Sequence, residues 1–330
     1  MAKSTPEQSP QRPRFKSTQD WNNFIGTQQQ VGLSGDYLLQ LRTQCYNDIE
    51  ALRNRPLLVY ASRFLNAPQG APVSIDLSDI DGFTDLVSSF KEADSVDVLI
   101  HSPGGQPDAT ERIVNILRNN FKEVHFIIPH SAYSAATMLA LSGNSITLHP
   151  SATLGPIDPQ LNGIPARSIK RGFEKVRDIL KEEGPEALPA YIPLIEKYSL
   201  DLLEICEDSE KLSKELVSEW LCEYMFEGNK SAEDVKETVE YFSDYDRHLL
   251  HSRPLLFKKI KGLGLNISIA EDNLQELIWE AYIMLNGFFN MTPFVKLYEN
   301  TRGVTWGKQM NIVQAPNPNP QQKNKAHNKV

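Results

Sequence analysis

Ser134 sits in Tyr133-Ser134-Ala135-Ala136, between the apolar run Phe126-Ile127-Ile128 and a small-residue segment that reads as a helix starting near Tyr133 and running to about Leu141. A serine at a helix start has unpaired backbone N–H groups and the positive end of the helix dipole beside it. Upstream, the apolar run Val96–Ile100 leads directly into His101-Ser102-Pro103-Gly104-Gly105. Glycine N–H groups in such a turn can meet a developing oxyanion, and the missing Cβ lets a carbonyl come close. Two further positions carry polar groups suited to proton transfer: Asp158, held between Ile157 and Pro159, and His251, in His251-Ser252-Arg253-Pro254. Each of these features is ordinary on its own. Together they supply what serine hydrolysis needs: a nucleophile, a base, a group to orient the base, and oxyanion donors. His248, about one helical turn before His251, competes as a base, while His101 and His130 flank the region and read as structural or substrate-binding.

The elements that must position these groups alternate. A helix is expected over Asp36–Arg53, a strand over Leu57–Ala61, and a helix over Ser78–Phe90 capped by Ser78. Strand 96–100, a helix over Asp108–Asn119, strand 124–128, the Ser134 helix and strand Ser145–Leu148 follow, and then the Pro/Gly-rich HPSATLGPIDPQLNG. Strands alternating with helices imply βαβ units and a mostly parallel sheet. Residues from about 167 to 242 read as a charged helical arm, with Leu202, Leu203, Ile205, Trp220 and Leu221 to cover, and a last helix falls over Asn273–Leu285. The expected organisation is a disordered tail over 1–17, one α/β domain over 18–313, and a disordered Pro/Asn/Gln/Lys-rich tail over 314–330.

Composition narrows the classes. A net charge of −8 without a Lys/Arg cluster argues against nucleic acid as a partner. Cys45, Cys206 and Cys222 are too few and too scattered for a disulfide framework or a structural zinc site, and fit a reducing cytoplasm. No signal peptide, membrane anchor, P-loop or dinucleotide fingerprint is legible, so no metal or cofactor is expected.

HSPGG (101–105), IPHSAYSAA (128–136), LGPIDPQL (154–161), HSRPL (251–255) and GLGLNI (262–267) together resemble the serine dehydrogenase proteinase family, a branch of the Clp protease and signal peptide peptidase A group. The resemblance spans about residues 55–270 and implies an α/β Clp/crotonase-like core of repeated β-β-α and βαβ units carrying a helical arm. It implies an ATP-independent serine peptidase acting on peptides or unfolded protein as a homo-oligomer. By position it makes Ser134 the nucleophile, with Asp158 and His251 completing a triad in the chain order Ser–Asp–His. The N–H groups of Gly104 or Gly105 and of Ala135 become the oxyanion donors. Relatives often carry glycine at Ala136, which is expected to narrow the pocket here, and many have a membrane anchor. Alternatives are a Ser–Lys dyad using Lys170 or Lys175, an acyl-CoA crotonase-type enzyme, and an inactive peptide-binding scaffold.

Overall fold

A computed structural model of the chain describes residues 12–28, 34–199 and 201–310. In chain order its strands are β1 (Leu57–Ser62), β2 (Ser95–His101), β3 (Glu123–Ile128), β4 (Ser131–Ala132), β5 (Ser145–Leu148), β6 (Thr153–Leu154), β7 (Gln160–Leu161), β8 (Ile164–Pro165), β9 (Ile267–Ile269), β10 (Phe294–Asn300) and β11 (Thr305–Gln309). Seven of them form one sheet in the order β11-β10-β1-β2-β3-β5-β9. The five from β1 to β9 run parallel, while β10 and β11 complete one edge in antiparallel fashion.

The parallel strands are apolar at almost every position because helices cover both faces of the sheet. Leu57, Val59 and Ala61 point to one face, with Leu99 and Ile127, against helices Thr18–Gln28, Gly35–Arg53 and Asp272–Met291. Leu58, Tyr60, Val98, Ile100, Phe126 and Ile128 point to the other, against helices Ile80–Ser88, Pro107–Asn120 and Ala135–Leu141. The two-residue period of a strand thus sorts its side chains between two cores.

Beyond the carboxyl ends of β2, β3 and β5 the chain enters a second, shorter ladder. Ser102 bridges Ala132, Ser131–Ala132 pairs with Thr153–Leu154, and Leu154 bridges Leu255. Four distant segments therefore lie side by side beyond the carboxyl ends of the central strands.

The arm is built from helices Ala166–Glu183 and Leu202–Trp220 with short helical turns between them. Val217, Trp220 and Leu221 reach back into the main core, whereas Ala166, Ile169 and Cys206 make a small core of their own. Of the arm residues that needed cover, Trp220 and Leu221 are buried and Ile205 remains exposed.

Some sequence expectations are displaced. The tail expected through residue 17 docks from Arg12 onward, since Arg12 pairs with Asp48 and Glu280 and Phe15 is buried. Tail residues 314–330 lie outside the described residues. Asp76, rather than Ser78, caps the helical stretch that begins at Leu77, because its carboxylate accepts the Ser78 N–H and Asp79 completes a capping box. Helix Thr18–Gln28 and strands β9, β10 and β11 went unassigned in the sequence.

Candidate active site

The short ladder sets the site's geometry by residue count. Gly104 lies two residues beyond Ser102, Ser134 two beyond Ala132, Asp158 four beyond Leu154, and His251 four before Leu255. Ser134, Gly104, Gly105, Ala135 and His251 line one cleft of about 550 Å³, together with Pro159, Gln160 and Leu161 from the loop after β6 and Ser209 and Leu212 from the arm.

Ser134 stands at the N-terminal boundary of helix Ala135–Leu141, with φ 50° and ψ −123°. A non-glycine residue in that region costs on the order of 1–3 kcal/mol, so the surroundings must hold it. The Tyr133 N–H donates to the Ser102 carbonyl, and the Ser102 N–H donates to the Ser131 carbonyl, each at 3.1 Å. Thr137 ties the next turn down: its hydroxyl donates to the Ala132 carbonyl and accepts the Gly155 N–H.

The Gly-Gly turn packs directly on the serine. A Cβ on Gly104 would fall 2.7 Å from the Ala135 nitrogen and 2.3 Å from the Tyr133 carbonyl oxygen, and φ at Gly104 is +90°. Only glycine fits there. The Gly104 N–H donates to Ser102 Oγ at 3.2 Å. The Gly105 and Ala135 N–H groups donate to no other group among the described residues.

Asp158 is 2 % exposed. Its Oδ1 lies 3.0 Å from His251 Nδ1, within ion-pair distance. The contact meets the distance but not the direction of a hydrogen bond, so both Asp158 oxygens and His251 Nδ1 stay unpaired in that sense. A buried carboxylate without a donor is costly, and among the described residues no Lys or Arg comes within ion-pair range of it. The His251 turn is held by Arg253, whose guanidinium donates to the Arg247 and His248 carbonyls, and by the Leu255 N–H on the Leu154 carbonyl.

The remaining candidates lie elsewhere. His248 is buried, and its Nε2 donates to the Tyr241 carbonyl at 2.6 Å. Lys170 is ion-paired with Glu210 at 3.0 Å, and Lys175 points to solvent. His101 and His130 pack against Tyr282 outside the cleft; burial, then the nearby His130 charge, push the His101 imidazole down to about 3. Ala136 is buried in the main core and leaves the cleft lining to Ala135 and Met138, so the narrowing expected of its methyl group does not arise. Among the described residues no group of three or more His, Cys, Asp or Glu side chains is placed to hold a metal ion.

Sequence reading missed the arm's share of the cleft and the segment Ser74–Asp76. That segment sits in a loop without apolar periodicity, and no local signal marks it. The Ile75 N–H donates to the Gly104 carbonyl at 2.7 Å, and the Gln106 N–H donates to the Ile75 carbonyl at 2.9 Å.

An α/β sheet with a serine at a helix start and a Gly-Gly turn beside it is the framework of a Clp-type serine hydrolase. The chain belongs to the ClpP-like SDH-type serine proteinase family, whose profile matches residues 36–285. The uncharacterized protein MJ1495 of Methanocaldococcus jannaschii is 25% identical over 237 residues, 70% of this chain and 73% of that protein. MJ0137 of the same organism, also uncharacterized, is 34% identical over 108 residues, 32% of this chain and 38% of that protein. Among solved structures, the membrane-bound stomatin-specific protease 1510-N shares 19% identity at a TM-score of 0.36, covering 61% of this chain and 76% of that one. ClpP1 from Listeria monocytogenes shares 12% identity at a TM-score of 0.37, covering 69% of this chain and 98% of that one. Among the described residues of this chain, no helix is long and apolar enough to cross a membrane.

Proposed function

We propose that this chain is an ATP-independent serine peptidase that hydrolyses peptide bonds in peptides or unfolded protein. In this reading Ser134 Oγ attacks the scissile carbonyl carbon as His251 Nε2 takes its proton. Asp158 orients the imidazole and balances the imidazolium that forms. The N–H groups of Gly105 and Ala135 receive the oxyanion, since the Gly104 N–H is already bonded to Ser102. Collapse of the tetrahedral species expels the amine, which takes the proton back from His251. Water then enters by the same base and releases the acid, restoring Ser134.

The observation that carries this reading is the buried Asp158 carboxylate with the His251 imidazole 3.0 Å from it, and with His251 and Ser134 lining one cleft. It favours the triad over a lysine dyad, because Lys170 is held by Glu210 and Lys175 is exposed. Self-association through the arm is part of the same proposal, supported by the exposed Ile192, Leu194, Tyr198 and Ile205.

Labelling with a fluorophosphonate probe followed by peptide mapping tests it. The modified peptide must carry the adduct on Ser134. An adduct on Ser131 or Ser142, or no adduct on folded protein, removes the assignment.

A further inference from the structure

Lys296 is an unusual residue for the interior of a sheet. It lies on β10, its side chain is fully buried, and its ammonium reaches four oxygens. These are the Ser74 carbonyl at 2.6 Å, Asp76 Oδ2 at 3.2 Å, and Asp79 Oδ1 and Oδ2 at 2.8 and 3.0 Å. Asp79, also fully buried, further accepts the Tyr60 hydroxyl, the Tyr298 hydroxyl, the Asp76 N–H and Lys308 Nζ. Two lysines and two aspartates thus form a neutral, well-satisfied cluster behind the cleft. A buried cluster of this kind is weak evidence for stability, because apolar residues of similar volume commonly do as well. Its value lies in what it fixes.

What it fixes is the strand-like segment Ser74–Asp76. Lys296 holds that segment at both ends, through the Ser74 carbonyl and the Asp76 carboxylate. Ile75, between them, is hydrogen-bonded on both sides of Gly105, to the Gly104 carbonyl and from the Gln106 N–H. A Cβ on Gly105 would lie 2.1 Å from the Ile75 carbonyl oxygen, so the two backbones touch without side chains between them. Any shift of Ile75 is passed directly to the Gly105 peptide.

We infer that Lys296, with Asp79, is a positioning residue for the oxyanion turn: it pins Ser74–Asp76, and through Ile75 it sets the direction of the Gly105 N–H. This rests on the reading of Gly105 as an oxyanion donor. Loss of one such donor costs about 10²–10³ in rate, and a donor that is present but misdirected should cost less, about 10–100-fold. The effect should fall on the tetrahedral step rather than on binding, because Lys296 does not line the cleft.

The test uses the full chain and a fluorophosphonate probe, whose P=O oxygen enters the oxyanion position on phosphonylation. The maximal labelling rate and the reversible affinity are measured separately for the wild type, Lys296→Met, the double variant Lys296→Met with Asp79→Asn, and Asp76→Asn. The double variant removes both buried charges together, and Asp76→Asn alters a partly exposed carboxylate that touches Lys296 at 3.2 Å and keeps an amide oxygen able to cap the Leu77 stretch. We expect the two Lys296 variants to lose about 10–100-fold in maximal rate and Asp76→Asn about threefold, with affinity within about threefold throughout. A wild type that never labels defeats the peptidase reading itself. A wild type that labels, with folded Lys296 variants matching its maximal rate or losing affinity alone, overturns the role of Lys296 only. If neither Lys296 variant folds, Asp76→Asn decides: a wild-type maximal rate overturns the inference.

Discussion

In the central sheet, every residue of β1 is buried and β2 is buried from Val96 onward; in the arm, helix Ala166–Glu183 buries only Ala166 and Ile169. The candidate site draws on both. Ser134 and the Gly-Gly turn extend from fully covered strands, and their backbones touch at distances that exclude a Cβ. The arm contributes Ser209 and Leu212 as a wall facing them. The proposed nucleophile and oxyanion turn thus come from the packed region, and the facing wall of the cleft comes from the looser one. Asp158 and His251 stand between, on segments leading out of the short ladder, and their contact is close but not aligned.

The largest expected effect lies on the sheet side. Ser134→Ala should lower peptide hydrolysis by on the order of 10⁴–10⁶-fold and abolish probe labelling, with an unchanged melting temperature. Appreciable hydrolysis by purified Ser134→Ala would place the chemistry elsewhere. His251→Ala and Asp158→Asn should each cost about 10³–10⁵-fold in kcat, and their combination little more than the worse single change, since the two act as a unit. His248→Ala should leave much more of kcat, because its Nε2 is committed to Tyr241; additive losses at His251 and Asp158 would count against a triad.

A third expectation separates the regions by acid sensitivity. The His101 imidazole is held down to about 3, chiefly by burial and then by the His130 charge, while the unfolded chain binds its proton near 6.5. His130 and His149 are lowered too, by burial. Between about 6.5 and 3 the unfolded state binds more protons, so stability is full above that window and falls as the pH drops through it. Denaturant unfolding followed from pH 7 to 4 should show that slope, and His101→Phe should flatten it; an unchanged slope would show that His101 contributes nothing.

The smallest effects belong to the arm. Lys170→Ala and Lys175→Ala should change kcat by no more than about twofold, as expected for partly exposed and exposed charges. A much larger loss in either would revive the dyad. Light scattering should show an assembly that Leu194→Ser together with Ile205→Ser weakens, and a monomer at all concentrations would leave those apolar residues unexplained.

How much of this could be read from the sequence follows the same division. The parallel strands and their helices were legible because apolar runs of strand length alternate with helical stretches. HSPGG and the serine helix marked two parts of the candidate cleft by residue type alone. The hairpin of β10 and β11 was not legible, since it carries Lys296, Glu299 and Asn300 where strand patterning calls for apolar residues, and only tertiary partners such as Asp79 and Arg42 explain them. Nor could Asp158 be told from a turn aspartate without the Leu154–Leu255 bridge that brings His251 to it.

That bridge has a consequence for biosynthesis. It closes a loop of about 100 residues, a costly step that folding rewards only once both strands of the contact exist. A growing chain exposes Ser134 long before His251 has been translated. Under the proposed triad, the serine has no base until Leu255 pairs with Leu154, and a nascent or unfolded copy would not cleave its neighbours. In the proposed reading, hydrolytic competence arrives only with the completed fold.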